Sequence, residues 1–197
     1  MRITYQDTKT EDSTKTVVFV PLAFGTLNGV IGENAKVRCN AAVREIRTRS
    51  KISCPRMVIG LGAGTPPQSK NEKTLAQYSQ EFLQETGADI PTFVNQDDHK
   101  VFGTFSEIQW VVQKAQELYS NPHFVFVSQK RHIRRIRIIC YLFYPKTTHF
   151  QFVVCGQVKI IPLTHEFFAY GELMLIKLGC TVDQLEKLRN FVHRLIR

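Results

Sequence analysis

Phe124-Val-Phe-Val-Ser-Gln-Lys-Arg-His-Ile-Arg-Arg-Ile-Arg-Ile-Ile-Cys140 changes its period in the middle. Phe124 to Val127 are consecutive apolar residues, as in a strand buried on both faces of a parallel sheet. Beyond Ser128 the apolar positions become Ile133, Ile136, Ile139, Cys140 and Phe143, spaced as one face of a helix. A buried strand feeding directly into a helix is the building unit of a parallel α/β sheet.

With about 100° allotted per residue from Arg131, the apolar positions fall on an arc of about 80° to 200°. His132 lies inside that arc at about 100° and Arg135 beside it at about 40°, whereas Arg134 and Arg137 lie near 300° and 240° on the far side. Arg134 and Arg137 therefore read as a solvated face, and His132 and Arg135 as groups turned towards the sheet from the first turn of a helix. That turn also presents unpaired amides and the positive end of the helix dipole, so an anion is favoured there. In open α/β sheets, ligands bind just beyond the carboxyl ends of the strands.

A chain of 197 residues, 43% of them apolar, is long enough for one domain with a sizeable core. It has no apolar run long enough to span a membrane and no charged-then-apolar amino-terminal signal pattern, so a cytoplasmic location is expected. Cys39, Cys54, Cys140, Cys155 and Cys180 are scattered without a C-x-x-C pair, which signals neither a metal site nor a disulfide framework and leaves small core residues as the simplest reading. The net charge of +9 is unevenly spread: no carboxylate occurs between Glu117 and Glu166, while Lys130, Arg131, Arg134, Arg135, Arg137, Lys146 and Lys159 all fall there. Such a half carries a positive field suited to anionic ligands or nucleic acid.

In chain order, residues 1–15 read as a loose polar leader and 16–197 as one α/β domain. Thr16 to Ala23 is a buried strand running into a glycine-containing loop with Gly25, and a helix follows over 34–50, with Val37, Ala41, Ala42 and Ile46 on one face and Arg38 elsewhere. Met57 to Leu61 is a second strand, ending in Gly60-Leu-Gly-Ala-Gly64. That turn departs from a dinucleotide fingerprint because the third glycine is misplaced and no helix starts at once, leaving a glycine-lined ligand loop through Gly62 and Gly64 as the functional reading and a simple turn as the bland one. A helix over 72–86 closes at Gly87, a third strand spans 90–94, and Thr104-Phe-Ser-Glu107 opens another helix as a capping box. Strands over 150–154 and 158–161 and helices over 164–178 and 182–196 complete a three-layer α/β/α sandwich around a mostly parallel, Rossmann-like sheet.

Val127-Ser128-Gln-Lys-Arg-His132-Ile-Arg-Arg135 resembles the Val-Thr, three residues, His, two residues, Arg segment of the YdcF-like and SanA-like family, a Rossmann-like α/β/α family without a single settled reaction. The resemblance covers 17–145, with a weaker echo at His165-Glu166. It implies that Leu22-Ala-Phe-Gly25 stands for the family's first glycine-containing loop, Arg38 for its downstream arginine, and Leu61-Gly-Ala-Gly64 for its second turn. Asp98 through Gly103-Thr104-Phe-Ser-Glu107 is similar to its acidic-then-Asn-Thr-x-x-Asn segment, although Gly103 and Glu107 replace both asparagines. The Ser-Glu pair usual at the start of the second helix is replaced by Thr74-Leu75 or lies upstream at Asn71-Glu72.

These residues point to a pocket for a small anionic ligand, nucleotide-like or S-adenosylmethionine-like, with no metal motif, and to transfer or hydrolysis as the reaction classes that would fit. Arg135 would take a carboxylate or phosphate in a two-pronged grip, and His132 would serve as general acid or base. Asp98 would orient that histidine or a sugar hydroxyl. Gly25, Gly62 and Gly64 would offer amides, with Arg38, Thr104, Glu107 and Ser128 lining the same site. The bland reading of His132 is a hydrogen-bonded structural residue. Two other functions compete: nucleic-acid binding by 128–160, weakened because Phe124, Phe126, Tyr141, Phe143 and Phe150 fall at core positions and leave no stacking platform, and a non-catalytic scaffold of the same fold.

Overall fold

A computed structural model of the chain describes residues 15–23, 26–27, 30–52, 55–64, 73–96, 101, 103–156, 170–171, 173–181 and 184, with the backbone alone at 26, 27 and 30. The leader over 1–14, Gly25, Asp98, Cys54, the strand expected at 158–161, the His165-Glu166 echo and all of the last helix but Gln184 lie outside these residues.

Five strands form one parallel sheet: β1 (Thr16–Pro21), β4 (Arg56–Leu61), β5 (Thr92–Val94), β6 (His123–Gln129) and β7 (Phe150–Cys155). A two-stranded antiparallel ribbon, β2 (Thr26–Leu27) with β3 (Val30–Ile31), occupies the glycine-containing loop after β1. The helices are α1 (Glu33–Arg49), α2 (Leu75–Glu85), α3 (Thr104–Leu118) and α4 (Lys130–Phe143). The strand order β5-β4-β1-β6-β7 grows in one direction from β1 through β4 to β5, then jumps back across β1 to grow the other way through β6 and β7. The order therefore reverses between β1 and β6.

Alternation along the strands divides the core into two layers. Val17, Phe19, Met57, Ile59, Val125 and Val127 pack with α1 and α2 on one face, and Val18, Val20, Val58, Phe124 and Phe126 pack with α3 and α4 on the other. Both layers are apolar because every central strand is covered on both sides, which is why β1 and β6 read as unbroken hydrophobic runs. The three-layer α/β/α architecture expected from the sequence is the one observed, with a sheet that is wholly parallel over the described strands.

Local chemistry sets the helix ends. Thr74 caps α2 with a full capping box, its hydroxyl accepting from the Gln77 amide at 3.1 Å while the Gln77 side chain accepts from the Thr74 amide at 2.7 Å. Gly87 follows α2 at φ +66°, the left-handed position that ends a helix. The capping box expected at Thr104 does not form: Gly103, at φ +95°, is the N-cap of α3, and Thr104 is the first helical residue, its hydroxyl turned to α4 instead. Thr181 and Gln184 do exchange both capping bonds, at 2.8 Å and 3.3 Å.

Gly62 serves packing, and the Gly64 backbone is hydrogen-bonded within the protein. A Cβ on Gly62 would stand 2.7 Å from Val111 Cγ2 and 2.9 Å from the Glu107 carbonyl oxygen, so α3 fills the space a side chain would need. The Gly62 carbonyl accepts from the Asn95 side chain at 2.9 Å, and the Gly64 amide donates to the Val101 carbonyl at 2.8 Å. The Gly64 amide is thereby committed to the protein and is not open to a ligand. Because the nearest obstacles to a Gly62 side chain include helix backbone, Gly62→Ala should lower stability by roughly 1–3 kcal/mol, read as a drop in the urea midpoint at unchanged slope; an unchanged midpoint would show that α3 can shift at no cost.

Candidate functional site

The strand order reverses between β1 and β6, and in doubly wound sheets the crevice outside the carboxyl ends of two such strands is where ligands bind. Leu22 and Ala23 follow β1 there, and Ser128 and Gln129 end β6. Chain direction brings the amino-terminal turns of α1, α3 and α4 to the same edge, because each helix starts where a strand or its loop has just ended. None of these three helices has a side-chain N-cap, in contrast to the boxed α2.

From these elements one hydrogen-bonded chain is built. Arg135 Nη2 donates to Thr104 Oγ1 at 2.7 Å, and the same hydroxyl lies 2.9 Å from His132 Nε2. His132 Nδ1 lies 2.7 Å from Ser128 Oγ, which in turn is 3.5 Å from Gln129 Oε1. Gln129 Oε1 accepts from Arg38 Nε at 2.7 Å and from Arg38 Nη2, while its amide nitrogen donates to the Asn34 carbonyl at 3.2 Å. Arg38 Nη1 donates to the carbonyls of Leu22 at 2.6 Å and Ala23 at 3.2 Å. Opposite it, Glu107 Oε1 accepts from the Ala23 amide at 2.9 Å.

Burial governs the charges of this chain. Arg38 has no exposed surface, and desolvation draws its pKa down to about 10, offset in part by the attraction of Glu107, so it remains a cation at neutral pH. Burial also raises the Glu107 carboxyl to about 8 against the opposing pull of the Ala23 amide and of Arg38, which leaves it mostly protonated at pH 7. His132 is pushed well below 6.5, first by burial and then by the charges of Arg38 and Arg135. Its imidazole is therefore neutral, and a neutral ring with one donor and one acceptor is satisfied by the two flanking hydroxyls.

The structure thus gathers Arg38, Thr104, Glu107, Ser128, His132 and Arg135, six of the residues singled out from the sequence, at one sheet edge. His132 is buried and Arg135 half-buried, while Arg134 and Arg137 face outward, as the helical rotation requires. Gly62 and Gly64 support the neighbouring β4 turn, and Gly25 and Asp98 lie outside the described residues. Both imidazole nitrogens are engaged by hydroxyls, Thr104 at Nε2 and Ser128 at Nδ1. Gln129 was missed; its signal is a polar residue at the carboxyl end of an apolar strand, where a side chain reaches the crevice. Arg38 was placed off the apolar face of α1, yet it is wholly buried, because Gln129 and the carbonyls after β1 form a polar socket that no helical period reveals.

Cys39, Cys140 and Cys155 are buried free thiols, the first two raised to about 12 by desolvation, which makes them packing groups rather than nucleophiles. Among the described residues, no group of three or more His, Cys, Asp or Glu side chains is placed to hold a metal ion. No helix among them is long and apolar enough to cross a membrane. Comparison of the chain with protein-family models, with curated proteins and with solved structures gives no match.

The two raised and lowered groups impose opposite pH slopes on stability. Glu107 keeps its proton in the fold up to about pH 8 but loses it near 4.5 when unfolded, so the unfolded state holds fewer protons and stability falls as pH rises through that window. His132 stays neutral in the fold while the unfolded chain protonates below 6.5, so its contribution falls as pH drops under that value. Above 6.5 the Glu107 slope stands without opposition from His132. Glu107→Gln keeps an acceptor for the Ala23 amide and removes the titration. Its stability relative to the parent protein, from denaturant titrations, should rise by on the order of 2 kcal/mol between pH 6.5 and 8; a constant difference across that range would place the carboxyl in an ionised state.

Proposed function

We propose that the chain binds a small anionic ligand, nucleotide-like or S-adenosylmethionine-like, in the crevice between the ends of β1 and β6, as a divergent relative of the YdcF-like and SanA-like proteins it resembles. The observation that supports this is the convergence of Arg135 and His132 on one hydroxyl, Thr104 Oγ1, at the point where strand order reverses. Arg135 is the half-buried cation of the pair, fixed through one nitrogen by Thr104 and so presented in a set orientation at the rim. A guanidinium fixed in this way loses little rotamer freedom on gripping a phosphate or carboxylate. Three uncapped helix starts add oriented amides and positive dipole ends at the same edge.

His132 fits a positioning part better than an acid's. A neutral imidazole with both nitrogens engaged has no proton to give at pH 7, and its depressed pKa makes it a weak base. It holds Thr104, and Thr104 holds Arg135. The reading accordingly commits to binding, with group transfer or hydrolysis as the reaction classes open to a bound anion.

Thermal shift with ATP, GTP and S-adenosylmethionine tests it. At about a hundredfold excess over Kd, a ligand that binds only the folded state contributes about 2.7 kcal/mol, or about 5–10 °C in a protein of this size. Arg135→Ala should raise Kd about 10- to 100-fold by removing a charge-assisted contact, while Arg134→Ala, on the outward face, should leave it unchanged. No stabilisation by any anionic small molecule, or equal loss in both variants, would refute the pocket.

A further inference from the structure

The outward face of α4 carries a second feature, independent of the crevice. Tyr141 is 80% exposed and Ile138 is 38% exposed, against the expectation that the aromatic residues of this half are core. Lys130, Arg134 and Arg137 are exposed as well. With about 100° per residue, Lys130, Arg134, Arg137 and Tyr141 share a stripe only about 60° wide, which climbs about 16 Å along the helix. Arg137 is steadied by lying over the Phe152 ring of β7, its guanidinium carbon 5.1 Å from the ring centroid.

This stripe works against its own helix. α1 follows the dipole, with Glu33 in its first turn and Arg47 and Arg49 in its last. α4 reverses that pattern: its first turn holds Lys130 and Arg131, with no acidic residue there and no basic residue in the last turn. Cations stacked at the positive end of a helix are disfavoured unless an anion joins them. Among the described residues, no ion pair brings a carboxylate to Lys130, Arg134 or Arg137.

We propose that the outward face of α4 binds single-stranded nucleic acid, its phosphates on Lys130, Arg134 and Arg137 and an unpaired base stacked on Tyr141. Evenly spaced cations beside one exposed aromatic ring are the two components of sequence-tolerant single-strand binding. A duplex keeps its bases stacked on each other and leaves Tyr141 unused. An anionic membrane needs a broad apolar face, and the broad apolar face of α4, Ile133, Ile136, Ile139 and Cys140, is turned into the core. An acidic peptide would meet the cations but has no planar base for the tyrosine.

Fluorescence anisotropy of the whole chain with labelled oligothymidylate tests this. Three phosphate contacts give a slope of about −2 in log affinity against log salt, so binding should weaken about 20-fold from 50 to 200 mM salt. Arg134→Ala should reduce the slope by about 0.7. Tyr141→Ala should weaken binding at least 5-fold while leaving the slope unchanged. Arg135→Ala, a crevice variant, should bind oligothymidylate as the parent does, which separates this surface from the anion pocket. Absence of binding at 50 mM salt, indifference to Tyr141→Ala, equal competition by polyglutamate, or preference for duplex DNA or phosphatidylserine vesicles would each overturn the assignment.

Discussion

The constraint that organises this fold is the burial of one guanidinium. Arg38 has no contact with solvent, and a charge removed from water is tolerated only where its donors are matched by well-placed acceptors. Gln129 Oε1 at the end of β6 and the carbonyls of Leu22 and Ala23 after β1 are among those acceptors. β1 ends at Pro21, paired with Val127, and proline has no amide to continue the ladder, so the next two residues leave the sheet with polar groups to satisfy. Arg38 on α1 takes the carbonyls from one face of the sheet and Glu107 on α3 takes the Ala23 amide from the other. The segment after β1 is thus clamped between two helices of opposite layers.

What the sequence reveals and what it conceals divide along the range of the interactions. The switch of period at Ser128, the alternation of buried strands with amphipathic helices and the inward turn of His132 and Arg135 are all local, since they need only 3.6- or 2-residue geometry. Thr104 and Glu107 show the limit of that approach. Their spacing fits a capping box, but the Thr104 hydroxyl is taken by residues 28 and 31 positions away and the Glu107 carboxyl by an amide 84 positions away. Gly62 shows the same limit: nothing local in the sequence reveals that α3 fills the space its side chain would need. Tyr141 is legible from rotation alone: at about 280° on the wheel it lies with Arg134 and Arg137, not with the isoleucines, and it is exposed.

Four arginines of one chemical kind therefore occupy three electrical situations. Arg38 is a buried tie whose charge is spent on the protein's own oxygens. Arg135 is held at a rim by a hydroxyl that also touches an imidazole. Arg134 and Arg137 stand on the outward face of α4, Arg137 over the Phe152 ring. Composition alone, a surplus of +9, does not distinguish these, and the distinction is where any functional reading must begin.

At neutral pH the crevice is more positive than its residue list suggests. It contains an acid and an imidazole as well as two arginines, but burial neutralises the first pair by opposite routes, holding the proton on Glu107 and keeping it off His132. Both arginines remain charged, and each lowers the imidazole further. The field at the switch point is consequently that of two cations in a poorly solvated setting, reinforced by three helix starts that lack side-chain caps. A carboxylate of normal acidity in place of Glu107 would cancel much of that field. Burial raises the pKa of this glutamate because α3 packs the carboxyl against the dry end of β1 instead of leaving it to cap its own helix.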